Sequence, residues 1–353
     1  YTEGTGYFKI MDYIISYFSF WHSHIMDADR LPKALLAVAL AAILGVVTGP
    51  LAANFNPFFW LIFDKIFGRA GDKMNRVHRP ENDLALRGLV LTLLALGFAF
   101  FVGKFYERMV VLSPAYGAVE VILLSTLITG GSIWYSLLQL YFALEKKQPV
   151  AGAFLAISRS TRLNLNAMDD YGTVRVGMGY TARIFDKGLV SPVFWYLIGG
   201  LPVAVIYSVL AALAWRFGKD GFSKGFGNVP VQLEKLMGMI PSILAAFIIT
   251  TAGGITPTAR LHKGVAAWFG HKNRAPYEQG GYPLSALAWL LNVSLGGAGQ
   301  DLSGSALKGE WVGPDGASAK IDHNHLKRAI YIHFASVILF MAALCGAYLW
   351  SRL

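Results

Sequence analysis

Apolar runs long enough to cross a lipid bilayer recur along the whole chain. A bilayer core about 30 Å thick is spanned by about 20 helical residues. Six stretches approach that length, at residues 34–53, 86–103, 116–144, 189–215, 236–254 and 329–350. This pattern predicts an all-α fold, a polytopic integral membrane protein with about six transmembrane helices.

The fourth apolar run contains a helix-breaking signal. Gly199-Gly200-Leu201-Pro202 combines two flexible residues with a proline that has no amide hydrogen to donate. We therefore expect a kinked or two-part helix at this point, which still counts as one of the six spans.

Three further apolar segments are unsuited to spanning a membrane. The aromatic stretch 7–21 is typical of a helix at the membrane interface, so residues 1–33 are interpreted as an interfacial segment ahead of one membrane domain, residues 34–353. Residues 56–67 and 282–297 are apolar but too short, which predicts short re-entrant or interfacial helices that pack against the long spans.

Composition and charge support a membrane location. Hydrophobic residues make up 55% of the chain and charged residues 15%, more apolar surface than one soluble core hides. The connectors after spans one, three and five hold more Lys and Arg than those after spans two and four. This bias predicts a multi-pass membrane protein with its basic loops in the cytoplasm and both termini outside.

The net charge of +10 is explained by loops that face anionic lipid. No zinc finger, RNA-binding motif or basic helix accompanies it, so we predict the lipid bilayer and no nucleic acid as a partner. Cys345 is the single cysteine and is interpreted as a packing residue. His323 and His325 lack a third ligand nearby in the sequence, so no metal site is predicted.

Acidic residues within the spans are a possible functional signal. Glu120 lies near the end of the third span, where we expect a solvated carboxylate rather than a proton or ion site. The spans show no evident pair of buried charges and no inverted repeat, which disfavours a transporter.

One polar segment ahead of the fourth span is a candidate binding site. Its candidate substrate- or phosphate-binding residues, in a connector predicted to be cytoplasmic, are Arg159, Arg162, Asp169, Asp170 and Arg175. Guanidinium groups suit phosphate or carboxylate, and paired acids can hold magnesium. The alternative is an ordinary basic loop with internal salt bridges.

A more specific signal lies at residues 188–202, GLVSPVFWYLIGGLP, which resembles the signature of the CobD/CbiB family of cobalamin biosynthesis membrane proteins. Residues 159–163 are similar to that family's R-D-T-S-R-L motif, and weaker matches follow in the same order over roughly residues 35–350. The signature positions, interpreted as structural, are Pro192, Phe194, Trp195, Tyr196, Gly199, Gly200, Pro202, Pro241, Pro283, Gly296 and Gly297.

The resemblance implies an adenosylcobinamide-phosphate synthase of a bacterial inner membrane, which ligates a corrinoid carboxyl group to an amine with ATP and magnesium. The chain departs from the family pattern at acidic motif positions, which are replaced by Gly179, Arg183, Lys187 and Leu284. Such replacements remove metal ligands and proton acceptors.

Two hypotheses for function follow from this departure. The first is an amide synthase with a divergent, impaired site, whose cofactors, if the family activity is retained, are ATP, magnesium and a corrinoid. The second is a non-catalytic subunit or regulator that binds a membrane protein partner or another copy of itself. The AmpE-type inner membrane proteins, a related branch with a similar signature, are an example of such divergence.

Overall fold

The computed structural model describes residues 29–76, 78–146, 151–218, 225–257, 259–269 and 273–353. The predicted interfacial helix at 7–21 lies outside this part of the chain. The helices of the first half are α1 (Arg30–Thr48), α2 (Phe58–Phe63), α3 (Arg69–Met74), α4 (Glu81–Leu112), α5 (Tyr116–Leu127), α6 (Ser132–Lys146) and α7 (Ala151–Thr161). Those of the second half are α8 (Asp170–Phe185), α9 (Ser191–Phe217), α10 (Asn228–Ile255), α11 (Leu261–Phe269), α12 (Gly281–Leu291) and α13 (His323–Trp350).

All six predicted spans correspond to helices. Five stretches are long and apolar enough to cross a membrane: Arg30–Thr48, Glu81–Leu112, Asp170–Phe217, Gly225–Ile255 and His323–Trp350. The third predicted span is a pair of helices, α5 and α6, bent by 40° at their break, which makes up to six. Gly130 lies at this bend, where a Cβ atom would overlap the backbone of Ala41 in α1. The close approach to α1 therefore requires a glycine there.

The fourth predicted span, 189–215, turns back on itself. It belongs to a helical segment of 48 residues, Asp170–Phe217, that would measure about 72 Å if it were straight. However, Tyr180 donates a hydrogen bond to Asn56, whose Nδ2 lies 3.2 Å from the carbonyl oxygen of Ser160. That same carbonyl accepts from Trp215 Nε1 at 2.6 Å. Tyr180 and Trp215 are therefore neighbours, and the chain reverses between them.

The reversal occurs at Gly200, whose φ of 69° and ψ of −165° interrupt α9. This conformation is accessible to glycine and strained for other residues. The break removes the helical partners of nearby carbonyls, and Arg30 Nη1 lies 3.2 Å from both the Leu197 and the Ile198 carbonyl oxygens. A side chain of α1 thus donates hydrogen bonds to carbonyl groups that have lost their helical partners at the turn.

This hairpin corrects the predicted topology. Arg216, in the last turn of the second arm, forms ion pairs with Asp64 and Asp72 at 2.6 Å each. Both aspartates belong to the connector after span one, which the loop-charge pattern placed on the opposite side from Arg216. That part of the orientation prediction is wrong, because a glycine–proline break indicates a bend but not its angle.

The two short apolar segments pack against the long helices, as predicted. In the first, α2 buries Phe59, Trp60 and Phe63 and continues through a π-helical turn, Asp64–Gly68, into α3. In the second, only Gly281–Leu291 is helical. Residues 295–312, here named the glycine loop, follow it as two small antiparallel pairs, β1 (Leu295–Gly296) with β4 (Trp311–Val312) and β2 (Gly299–Gln300) with β3 (Ala306–Leu307).

Buried charge pairs lie among the long helices, which contradicts the expectation that the spans lack them. Lys187 Nζ and Glu234 Oε2 are 2.8 Å apart, with 7% and 0% of their side chains exposed. Glu120 is not a solvated carboxylate either, since Lys33 pairs with it at 2.7 Å and Tyr196 donates a hydrogen bond to it at 2.8 Å. The partners are distant in sequence, so the pattern of a single span could not show them.

Candidate anion-binding site

Two adjoining cavities lie where α8, α9, α12 and the glycine loop meet. The arginine cavity, about 380 Å³, is lined by Arg162, Arg183 and Arg216 among others. The loop cavity, about 100 Å³, lies between α8, the start of α12 and the glycine loop. Thr161, Leu163, Arg183 and Leu307 line both cavities, so they form one continuous candidate site.

The arginine cavity concentrates positive charge. The Arg162 guanidinium lies 5.6 Å from the centre of the Trp215 ring, a cation–π contact that orients it. Burial and the nearby Arg216 lower the pKa of Arg162. The acids around Arg162 therefore do not fully offset the cost of burying its positive charge. An anion in this cavity would supply that compensation.

The acidic residues of the arginine cavity are already engaged. Asp72 pairs with Arg216 at 2.6 Å. Asp301 Oδ1 accepts hydrogen bonds from Ser303 and from the backbone amide of Ser305, at 2.6 and 2.8 Å. These carboxylates serve as structural partners of the walls.

The loop cavity has basic walls as well. Arg175, Arg183 and Lys308 line it. None of the described residues that line this cavity carries a carboxylate. Arg175 is held by a 2.9 Å hydrogen bond to the Ala319 carbonyl and by a contact 5.3 Å from the centre of the Trp311 ring. The buried Gln279 Oε1 at this wall has no hydrogen-bond partner in the described part of the chain.

Glycines shape the loop cavity. Gly296 and Gly297 have φ of 79° and 87°, and a Cβ atom on Gly297 would come within 2.7 Å of the Trp311 ring. The close packing within the glycine loop, at the wall of this cavity, therefore depends on residues without side chains.

Three of the four positions at which a motif acid is replaced line the loop cavity. Gly179, Arg183 and Leu284 all line it. A Cβ atom on Gly179 would lie 3.5 Å from Leu284 Cδ1, so two positions that are acidic in the family pattern face each other here as an apolar pair. Lys187, the fourth, lies instead in the buried pair with Glu234.

The predicted binding residues divide between different places. Arg162 and Arg175 line the two adjoining cavities. Arg159 donates to the Ala52 carbonyl at 3.0 Å and lines neither. Asp169 caps α8 through a 2.7 Å hydrogen bond from the Gly172 amide, and it lines a third cavity together with Asp170. The structure does not bring the acids and Arg162 into one site.

The connector that was predicted to carry these residues is also largely helical. Asp170–Phe185 forms α8 and continues through a π-helical turn, Asp186–Val190, into the hairpin. Sequence reasoning missed Arg216, Lys308 and Gln279, and it interpreted Arg183 as the replacement of a motif acid. Only contact between distant segments identifies them as parts of a wall.

The family-signature residues build the scaffold of the site. Pro192 lies in the first turn of α9, Gly199, Gly200 and Pro202 form its reversal, and Trp195 Nε1 donates to the Met237 carbonyl at 3.1 Å. The other signature side chains also pack within the fold: Phe194 against Trp195, Tyr196 on Glu120, Pro241 in α10 and Pro283 in α12. Gly296 and Gly297 are the signature positions that line a cavity of the site.

The donor groups fit an anion better than a metal ion. Within the described residues, no group of three or more His, Cys, Asp or Glu side chains is placed to hold a metal. The replaced acids leave Gly179 and Leu284 at the loop cavity, neither of which is a ligand for magnesium. The arginines suit the phosphates of a nucleotide or a substrate carboxylate.

The fold and this site define a helical membrane protein with a basic cavity. Residues 35–333 match the CobD/Cbib protein family, and the chain belongs to it. No solved structure shows a significant match to it.

The similarity to curated relatives extends along most of their length. The chain is 26% identical to "Cobalamin biosynthesis protein CobD" of Sinorhizobium sp. over 275 residues, 74% of this chain and 83% of that protein. It is 24% identical to the protein of the same name from Rhizobium meliloti strain 1021 over 327 residues, 91% and 98% of the two chains. A third, from Klebsiella pneumoniae subsp. pneumoniae, is 22% identical over 331 residues, 90% and 98%.

Proposed function

We propose that this protein acts in cobalamin biosynthesis at the amide-forming step, as a divergent adenosylcobinamide-phosphate synthase with strongly reduced ligase activity. Its relatives carry cobalamin biosynthesis in their names. The two adjoining cavities hold the anionic groups of the corrinoid or nucleotide substrate. The basic walls support a location of this site on the cytoplasmic side of an inner membrane.

One observation carries the proposal. Segments far apart in sequence that resemble family motifs, residues 159–163, 281–284 and 295–297, all contribute to the adjoining cavities. The hairpin and the glycine loop bring them together. Such convergence is expected of a retained substrate site, whereas unrelated matches would scatter over the fold.

The expected reduction of ligase activity follows from the side chains that line the two cavities. Amide ligation with ATP needs groups that neutralise phosphate charge and a base for the amine. Arg162, Arg175 and Arg183 provide positive charge. Gly179 and Leu284 provide neither a proton acceptor nor a metal ligand, so the site is suited to binding and poorly suited to the chemical step.

The test is a turnover assay with the purified protein in detergent. Adenosylcobyric acid, aminopropanol phosphate, ATP and magnesium are supplied, and the amide product is followed by mass spectrometry. We expect little product from the native chain and more from Gly179→Glu/Leu284→Glu, because the two new carboxylates would face each other across the cavity. Adding Arg162→Ala to that double variant should abolish the gain.

A second candidate is a non-catalytic membrane subunit, and the presence of Gly179 and Leu284 in place of acids at the loop cavity favours it. If the double variant gains no activity while a relative with intact acids turns over under the same conditions, the synthase proposal fails. The search then moves to membrane proteins that co-purify with the chain.

A further inference from the structure

We infer that the adjoining cavities bind their phosphate-type anion without a divalent metal ion, and that Arg183 supplies the positive charge that a metal would otherwise bring. This inference rests on the proposed function, since it concerns how the same site holds its ligand. It goes further because it states which group supplies the positive charge that binds the ligand.

The position of Arg183 is the first argument. It lines both cavities; the arginine cavity adds Arg162 and the loop cavity adds Arg175 and Lys308, whereas Arg216 is already paired with Asp64 and Asp72. A ligand that occupies the junction therefore faces guanidinium groups from both directions. Guanidinium groups bind phosphate oxygens in a bidentate manner and do not require a bridging ion.

The absence of suitable oxygen ligands is the second argument. Magnesium in nucleotide sites is held through one or two carboxylates together with phosphate oxygens. Of the described residues that line the two cavities, Asp72 and Asp301 are the acids, and each is bound by a neighbouring wall group. A divalent ion would also lie beside Arg183 and be repelled by it.

The geometry of Arg162 is the third argument. Its backbone has a φ of 61°, outside the helical range, at the end of α7. The side chain then lies over Trp215 and lines the cavity. Thus two arginines from different helices, Arg162 after α7 and Arg183 in α8, are fixed at one ligand-sized space.

The experiment measures pyrophosphate binding by isothermal titration calorimetry, with the full chain in detergent. Each titration is run once with EDTA and once with magnesium in excess. We expect binding with EDTA that magnesium does not tighten. Arg183→Ala should weaken the metal-free Kd by about tenfold or more, the value of one charge-assisted hydrogen bond. Arg183→Lys should keep metal-free binding, while Arg87→Ala, which removes a cation paired with Asp83 in α4, should leave it unchanged.

The outcomes separate the two proposals. Pyrophosphate binding that requires magnesium would overturn the metal-free inference and leave the anion site in place. Binding in neither condition, with a native circular dichroism spectrum, would overturn the site itself. Equal weakening by Arg183→Ala and Arg87→Ala would show that only net charge matters, which also contradicts the role of Arg183.

Discussion

Removal of the Lys187 ammonium group tests the buried network at the centre of the helices. In Lys187→Met, the Glu234 carboxylate, 2.8 Å from Nζ and fully buried, loses its cation. Asp186, itself 1% exposed, is the neighbouring residue in the chain. Two hydrogen bonds to Glu234 remain, from Tyr207 at 3.1 Å and from Tyr277 at 2.9 Å.

The expected cost follows from these contacts. Breaking a buried ion pair by removing one partner costs about 3–5 kcal/mol. The two tyrosine hydrogen bonds continue to stabilise the carboxylate, so we expect about 3 kcal/mol, the lower end of that range. Unfolding is followed by SDS titration of the protein in mixed micelles.

Two further variants make the result specific. Lys104→Met removes a cation of the same type from the exposed pair with Glu107, and we expect a loss of at most about 1 kcal/mol. Lys187→Met/Glu234→Gln removes both charges and should be more stable than Lys187→Met alone. If Lys187→Met costs no more than Lys104→Met, the assignment of a buried, structurally required pair is wrong.

Two other predictions concern the hairpin. In a Cys345→Ala background, an impermeant maleimide should label Lys73→Cys, in the connector after span one, and Asn228→Cys from the same face of the membrane, because Asn228 follows the returning arm; labelling of the two from opposite faces would restore the single crossing predicted from the loop charges. Gly200→Ala should cost about 1–3 kcal/mol of stability since its φ is 69°, whereas Gly97→Ala, which has open space and a helical backbone, should be neutral or stabilising in the same SDS titration. Equal effects of the two alanine substitutions would contradict a strained turn at Gly200.

The spans were predictable because each is a local property of the sequence. A run of about 20 apolar residues is sufficient to indicate a transmembrane helix. The hairpin was only half predictable, since Gly199 to Pro202 predicts a break without specifying its angle. Whether the chain continues or returns depends on contacts such as those of Arg30 and Trp215, which lie far away in sequence.

The site was predictable in part for a similar reason. Arg162 and Arg175 were proposed from their residue type and proximity in sequence, and both line the cavities. Asp170 was proposed on the same grounds but faces a different cavity, because a helix distributes neighbouring residues over several faces. Arg183 replaces a motif acid, and its position at the junction of the two cavities depends on the meeting of α8 with the glycine loop.

Binding of a corrinoid acid tests the central claim most directly, namely that the adjoining cavities hold an anionic substrate. Equilibrium dialysis of adenosylcobyric acid against the protein in detergent compares the native chain with Arg162→Ala and with Arg87→Ala. The account predicts saturable binding that Arg162→Ala weakens by about tenfold or more and that Arg87→Ala leaves unchanged. No saturable binding, or binding that Arg162→Ala does not alter, would contradict it.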